Sequence, residues 1–278
     1  MNRESILSTK LLDDQIALFY LGQEGILIKY RERYLLIDAY LSDYVDRNCC
    51  TSDVRWVRKY DAPISGEELD FVDYVFCTHA HYDHADPITL SDIARVNKKA
   101  KFIVPAPIVD TVKEYGVDEE SMIPAFADEK IVFGDIVILP IPAAHEELSV
   151  DEKGRYDALG YKITLGNTVL FHAGDCCIYD GLEERLGGVD VMCLPVNGRS
   201  YYKRVVKDII GNMDAYEATE LSGHVGAKLL IPMHIDLYDV NGLSLAAFVD
   251  AVENVDKNMR FHIFRPGERY IYADDGEK

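Results

Sequence analysis

Positive charge is scarce in this 278-residue chain: 29 Lys and Arg stand against 48 Asp and Glu, a formal net charge of −19. Such a surface repels phosphate polymers and anionic bilayers, so no nucleic-acid polymer and no membrane is expected as partner, and a small substrate is favoured. Long apolar runs are missing as well. No stretch approaches the roughly 20 residues that span a bilayer, and the first ten residues hold no apolar leader, so the expected location is cytoplasmic. The six cysteines (Cys49, Cys50, Cys77, Cys176, Cys177 and Cys193) never show C-x-x-C spacing, which argues against a structural zinc knuckle or a redox pair. Core thiols in a reducing compartment are the simpler expectation. No repeat, low-complexity tract or linker interrupts the chain. One domain over residues 1–278 is expected, built of two αβ halves at 15–145 and 146–272.

What is present in abundance is metal-binding chemistry at one place. His79, His81, Asp83 and His84 follow one another in the pattern H-x-H-x-D-H, a ligand density that suits first-row metal ions. The residues before it, 71–78, are apolar and β-rich and read as a buried strand. Asp86 and Pro87, followed by Ile88, Leu90, Ile93 and Val96, read as a capped helix. The motif therefore occupies a strand-to-helix loop at the carboxyl end of a strand, where α/β proteins place their chemistry. In an extended stretch His79 and His81 point the same way and reach one metal, while Asp83 and His84 reach a second. The spacing predicts a two-metal site.

This loop resembles the signature of the metallo-β-lactamase superfamily, in which H-x-H-x-D-H is followed by a lone His, a lone Asp and a final His. Those elements stand here in order as His145, Asp175 and His234. The resemblance implies that His79, His81 and His145 hold one metal, that Asp83, His84 and His234 hold the other, and that Asp175 bridges them. It also implies an α/β (α+β) fold, the four-layer αββα sandwich with the metals at the seam between two sheets. Within the superfamily the stretches YLGQEGILI at 20–28, LIDAYLSD at 36–43, GNM at 211–213 and GAKLLIPMHID at 226–236 look like the L-ascorbate-6-phosphate lactonase-like branch of metal-dependent hydrolases. The likeness covers roughly residues 19–272, and residues 146–158 match no pattern of that branch.

The order of the chain agrees with these placements. Residues 15–20, 25–30 and 33–38 read as an antiparallel meander. Asp38, at the end of its third strand, is a partner for a ligand histidine by the resemblance; a carboxylate that merely opens a loop is the equal alternative. A hairpin across Gly134 and Asp135 delivers His145, and a second across Gly166 and Asn167 runs into Asp175. Asp175 as a helix cap is the weaker alternative. A buried strand at 228–233 presents His234, with Asp236 as a further supporting carboxylate. A helix from 244 to 256 and strands at 260–264 and 269–272 are expected to close the second half. His172, His224 and His262 read as structural.

Against the acidic background, Arg199, Lys203, Arg204 and Lys207 form a basic run beside Tyr201 and Tyr202. Arginine forks suit phosphate and tyrosine faces suit sugar, so Arg199, Tyr201, Tyr202 and Arg204 are the candidate substrate-binding residues, with a solvated charge run as the alternative. The expected activity is a dinuclear hydrolase of a small anionic substrate, such as the lactone of L-ascorbate 6-phosphate. Asp83 and Asp175 are the catalytic carboxylates, and manganese or zinc the metals, with iron open. A phosphodiesterase or nuclease acting on a nucleotide or phospholipid head group, and a non-catalytic metal-binding scaffold, are the alternatives. The sequence is silent on oligomeric state and compatible with a homo-oligomer.

Overall fold

Ile16, Leu18 and Tyr20 alternate with Ala17, Phe19 and Leu21 along the first strand, β1 (Gln15–Gly22), and both sets are buried. A strand apolar on both faces belongs to an inner layer, covered on each side. One set packs against a second sheet, with Ile26, Ile28, Ile37 and Phe76 meeting Ile138, Tyr161, Ile163 and Val191. The other set lies under the helix Pro87–Val96, where Leu90 and Ile93 are buried. The computed structural model describes residues 1–274.

The first sheet runs in the order β13-β1-β2-β3-β4-β5-β6. Besides β1 it holds β2 (Gly25–Tyr30), β3 (Arg33–Ile37), β4 (Tyr74–Phe76), β5 (Lys101–Pro105), β6 (Met122–Ala125) and β13 (Arg269–Ala273). β1 to β3 form the expected antiparallel meander, and β3 to β6 are parallel. The second sheet, in the order β12-β11-β10-β9-β8-β7, contains β7 (Ile131–Phe133), β8 (Ile136–Pro142), β9 (Leu159–Leu165), β10 (Thr168–His172), β11 (Val191–Pro195) and β12 (Leu229–Met233). Its outer face carries the helices Ala215–His224 and Leu245–Val255, which bury Ala218, Leu221, Phe248 and Val252. The layers are helix, sheet, sheet, helix, as expected.

The hairpin at 131–142 belongs to the second sheet, so the division between the sheets falls before Ile131. Two local expectations are corrected. β13 crosses back to the first sheet and pairs with β1, Gln15 opposite Ala273, instead of closing the second half. Residues 260–264 form only a single bridge, Leu230 with Phe261, because this stretch lies along β12 without a continuous ladder.

The sheets are stitched together at one end. Tyr161 donates to the Cys77 carbonyl at 2.8 Å, and the Leu159 amide donates to Thr78 O at 2.9 Å. These bonds fix where the loop after β4 emerges relative to the second sheet.

Candidate metal centre

The loop after β4 carries His79, His81, Asp83 and His84 and ends where Asp86 caps the helix Pro87–Val96, accepting from Ile88 N at 3.1 Å. β8 leads to His145, β10 to Asp175 and β12 to His234. Asp175 caps no helix; the next one spans Leu182–Leu186 behind Gly181. Gly174 makes the approach of Asp175 possible. Its φ is +59°, and a Cβ there would lie 2.5 Å from Thr78 Cβ, so the β10 turn packs on Thr78 only with glycine at this point. His234 also stands at positive φ, +54°, with its amide donating to Gln23 O at 3.0 Å.

The donor atoms fall into two groups. Those of His79, His81, His145 and Asp175 lie within 4.8 Å of one another, and so do those of Asp83, His84 and His234. Asp175 reaches into both. Its Oδ2 is 3.3 Å from His145 Nε2, while its Oδ1 is 3.4 Å from His84 Nε2 and 3.7 Å from His234 Nε2. A carboxylate with one oxygen toward each group suits a bridge between two cations.

The same atoms are left free for a ligand. His79 Nε2, His84 Nε2 and Asp175 Oδ1 are buried without a hydrogen-bond partner among the described residues. Each such orphan costs about 1–3 kcal/mol unless something binds it. Asp38 sets the His84 tautomer: its Oδ2 lies 2.8 Å from His84 Nδ1 and accepts from Thr78 Oγ1 at 2.6 Å, while its Oδ1 accepts from Thr78 N at 2.8 Å. A carboxylate only accepts, so Nδ1 carries the proton and Nε2 presents its lone pair. Thr78 Oγ1, its own proton directed at Asp38, accepts from His79 Nδ1 at 3.1 Å and frees His79 Nε2 in the same way.

The electrostatics match a site built for cations. Burial pushes the His79 imidazole well below its ordinary pKa, with His84, His81 and His145 adding to the effect. Burial likewise lowers His145, to about 4, against the pull of Asp175. Burial opposes the charge on His84 too, but Asp175, Asp83 and Asp38 outweigh it and raise that imidazole. Asp83 and Asp175 would be raised by burial; His84 and His234 overcome it and hold both below the ordinary carboxylate range. Two carboxylates among imidazoles that can give up a proton to a cation are the donor set that divalent zinc, manganese or iron require.

Two supporting residues were not visible in the sequence. Gln23 stands at φ +59° in the turn between β1 and β2, nearly wholly buried, and its Nε2 donates to Asp83 Oδ2 at 2.9 Å. The signal was a polar residue between two strands apolar on both faces. Thr78 couples Asp38 to His79, as described. Asp236, expected as a supporting carboxylate, accepts from Tyr20 and Tyr60 at 2.8 and 2.7 Å and so braces the β1–β2 turn instead of a ligand. His172 is buried and packs behind the site, its Nδ1 accepting from Gly174 N at 3.2 Å and its Nε2 donating to Glu24 O at 2.8 Å.

A cavity of about 210 Å³ opens on the cluster, with His81, Asp83, His145, Asp175 and His234 on its floor and Val45, Cys49, Trp56, Tyr82 and Ile209 among its walls. A second space of about 450 Å³ shares His81, His145 and Ile210 with it. Among the described residues neither wall contains a lysine or arginine. The basic run after β11 is therefore placed differently from expectation. Arg199 grips Glu217 with both arms, at 2.7 and 2.6 Å, and Arg204 pairs with Glu146 at 3.1 Å. Tyr201, just before the wide turn Tyr202–Val206, and Tyr202, its first residue, are 76% and 59% exposed. None of the four lines the cavity.

The beta-lactamase superfamily domain model matches residues 33–235, most of the chain and all seven candidate ligands. The chain belongs to the beta-lactamase superfamily. This superfamily member is 27% identical over 226 residues to a UPF0173 metal-dependent hydrolase of Nanoarchaeum equitans, covering 80% of this chain and 84% of that protein. It is 25% identical over 272 residues to one of Aeropyrum pernix, covering 92% and 97%. Among solved structures, Igni18, a metallo hydrolase of Ignicoccus hospitalis, superposes with a TM-score of 0.67 at 20% identity over 94% of this chain and 99% of that one, a likeness of fold. With these relatives the superfamily member is a metal-dependent hydrolase. No helix among the described residues is long and apolar enough to cross a membrane.

Proposed function

We propose that the protein is a dinuclear hydrolase that opens the lactone ring of a small sugar acid, with the lactone of L-ascorbate 6-phosphate as its concrete test substrate. The observation that carries the reading is Asp175, one oxygen toward each donor group, on the floor of a cavity sized for a small molecule. His79, His81 and His145 would hold one ion, Asp83, His84 and His234 the other, with Asp175 between them. When bound, divalent ions polarise a carbonyl oxygen and make water acidic enough to ionise near neutral pH.

The residues of the chain supply the rest. Gln23 anchors one oxygen of Asp83, so the carboxylate faces the cavity in a set orientation and accepts the proton of the attacking water. Water adds to the carbonyl carbon, the ring C–O bond breaks, and the released alkoxide takes a proton to give the hydroxy acid. The apolar walls, Trp56 and Tyr82 among them, exclude bulk water from the reacting bond. An anionic substrate is drawn by the cations themselves, since no guanidinium lines the cavity. Both phosphorylated and unphosphorylated small lactones are accordingly expected to be turned over, because no side chain of the cavity is reserved for a phosphate.

The test is the initial rate of metal-loaded protein on both lactones and on an aryl phosphodiester, with Asp83→Ala as control. Lactone turnover lost in the control supports the proposal. Phosphodiester turnover without lactone turnover replaces the reaction with phosphodiester hydrolysis, and no turnover of any of them removes it.

A further inference from the structure

The first cavity has a polar wall residue that belongs to neither donor group. Asn241 sits on the short turn Asp239–Asn241 beyond His234 and lines the space shared with Asp175 and His234. Its Oδ1 accepts from Asn197 Nδ2 at 2.9 Å, and Asn197 Oδ1 accepts from Asn212 Nδ2 at 3.1 Å. All three amides are buried, Asn212 completely. Asn212 Oδ1, without a partner among the described residues, is the end of the relay.

The direction of that relay decides what the cavity meets. Reversing every amide would turn Asn241 Oδ1 toward the cavity and leave an unpaired Asn212 NH₂ in the core. An orphaned buried donor is rarer in native proteins than an under-satisfied carbonyl, so the direction observed is the favoured one. It commits Asn241 Oδ1 to the protein and leaves Nδ2 without a hydrogen bond among the described residues. The relay is anchored: Gly198 N donates to Met213 O at 3.1 Å, and Lys203 Nζ donates to Asn197 O at 2.5 Å.

We propose that Asn241 is a catalytic residue whose side-chain N–H binds the substrate's carbonyl oxygen as it gains charge, with Asn197 and Asn212 as positioning residues; this rests on the hydrolase reading above. A preoriented donor at such an oxygen acts on the rate more than on substrate affinity. It also supplies the recognition that the basic run of the sequence suggested for Arg199 and Arg204. It is neutral, so unlike a guanidinium it adds no charge preference for a phosphate.

The experiment compares Asn241→Asp and Asn241→Ala with wild type on the lactone, at equal metal content and with thermal melts alongside. Aspartate preserves the acceptor for Asn197 and exchanges the donor for an anion; alanine removes both. The proposal expects kcat to fall about 10²–10³-fold in Asn241→Asp with KM little changed, and by no more than that in Asn241→Ala. A merely structural acceptor would give the opposite order. Asn241→Asp at wild-type kcat, with Asn241→Ala impaired, overturns the proposal while the hydrolase reading stands. Wild-type protein that turns over no lactone overturns both.

Discussion

Replacing Asp38 by asparagine removes one negative charge and hardly any volume, and it tests the tautomer argument at its narrowest point. Three donors converge on this carboxylate: Thr78 N at Oδ1, and Thr78 Oγ1 and His84 Nδ1 at Oδ2. An asparagine accepts through one oxygen only, so its NH₂ must face at least one of them. Facing Thr78 N, it sets two donors against each other in the core. Facing His84, it makes Nδ1 the acceptor and moves the ring proton to Nε2, the atom aimed at the candidate cation. Backbone strain does not confuse the result, because Asp38 already holds φ +46° and asparagine tolerates that region well. Loss of such a partner typically lowers metal affinity about 10–100-fold, or about 1.4–2.7 kcal/mol. Metal content after gel filtration, by elemental analysis, is expected to fall toward one ion per chain, the Asp83, His84, His234 group emptying first. An Asp38→Asn variant that retains both ions and the wild-type rate would refute the reasoning.

Other perturbations probe separate parts of the structure. Gly174→Ala places a methyl group against Thr78 at positive φ, so it is expected to destabilise the fold by more than about 1 kcal/mol and to reduce bound metal, read by thermal melting and metal analysis. Unchanged melting would show that the β10 turn is not tight. Arg204→Ala should leave KM for the phosphorylated lactone within about a factor of two, because Arg204 is engaged by Glu146 and Asp208; a large rise would restore the phosphate clamp. Burial lowers the Lys203 ammonium to about 8, Asp175 pulling the other way. Between that value and the ordinary lysine value near 10.5 the unfolded chain binds the extra proton, so stability from this group rises with pH across that window. Denaturant titrations should show the rise in wild type and not in Lys203→Met; parallel curves would disprove it.

The candidate site was largely legible because its signals are local. H-x-H-x-D-H places four donors on one strand-to-helix loop, and His145, Asp175 and His234, which the resemblance to the superfamily singled out, each follow an apolar run that reads as a strand. The helix, sheet, sheet, helix layering was legible through the same resemblance. Partners across the fold were not. Arg199 and Arg204 look like ligand-seeking cations along the chain, and only folding brings Glu217 and Glu146 to them. Gln23 looks like an ordinary turn residue until β12 sets His234 beside it. The relay of Asn197, Asn212 and Asn241 joins three loops that share no pattern. β13 carries nothing in its own residues to say that it pairs with β1 and not with its neighbours in the chain.

Residue type and spacing alone determined which side chains offer lone pairs, which strands are buried on both faces and how acidic the surface is, because these depend on composition and short-range periodicity. The tertiary structure decided the rest: which imidazole nitrogen is free, which carboxylate oxygen faces which donor group, and which polar residue walls the cavity. Hydrogen bonds and burial act over a few ångströms of space, and only the packing of the two sheets sets those distances between residues far apart in the chain.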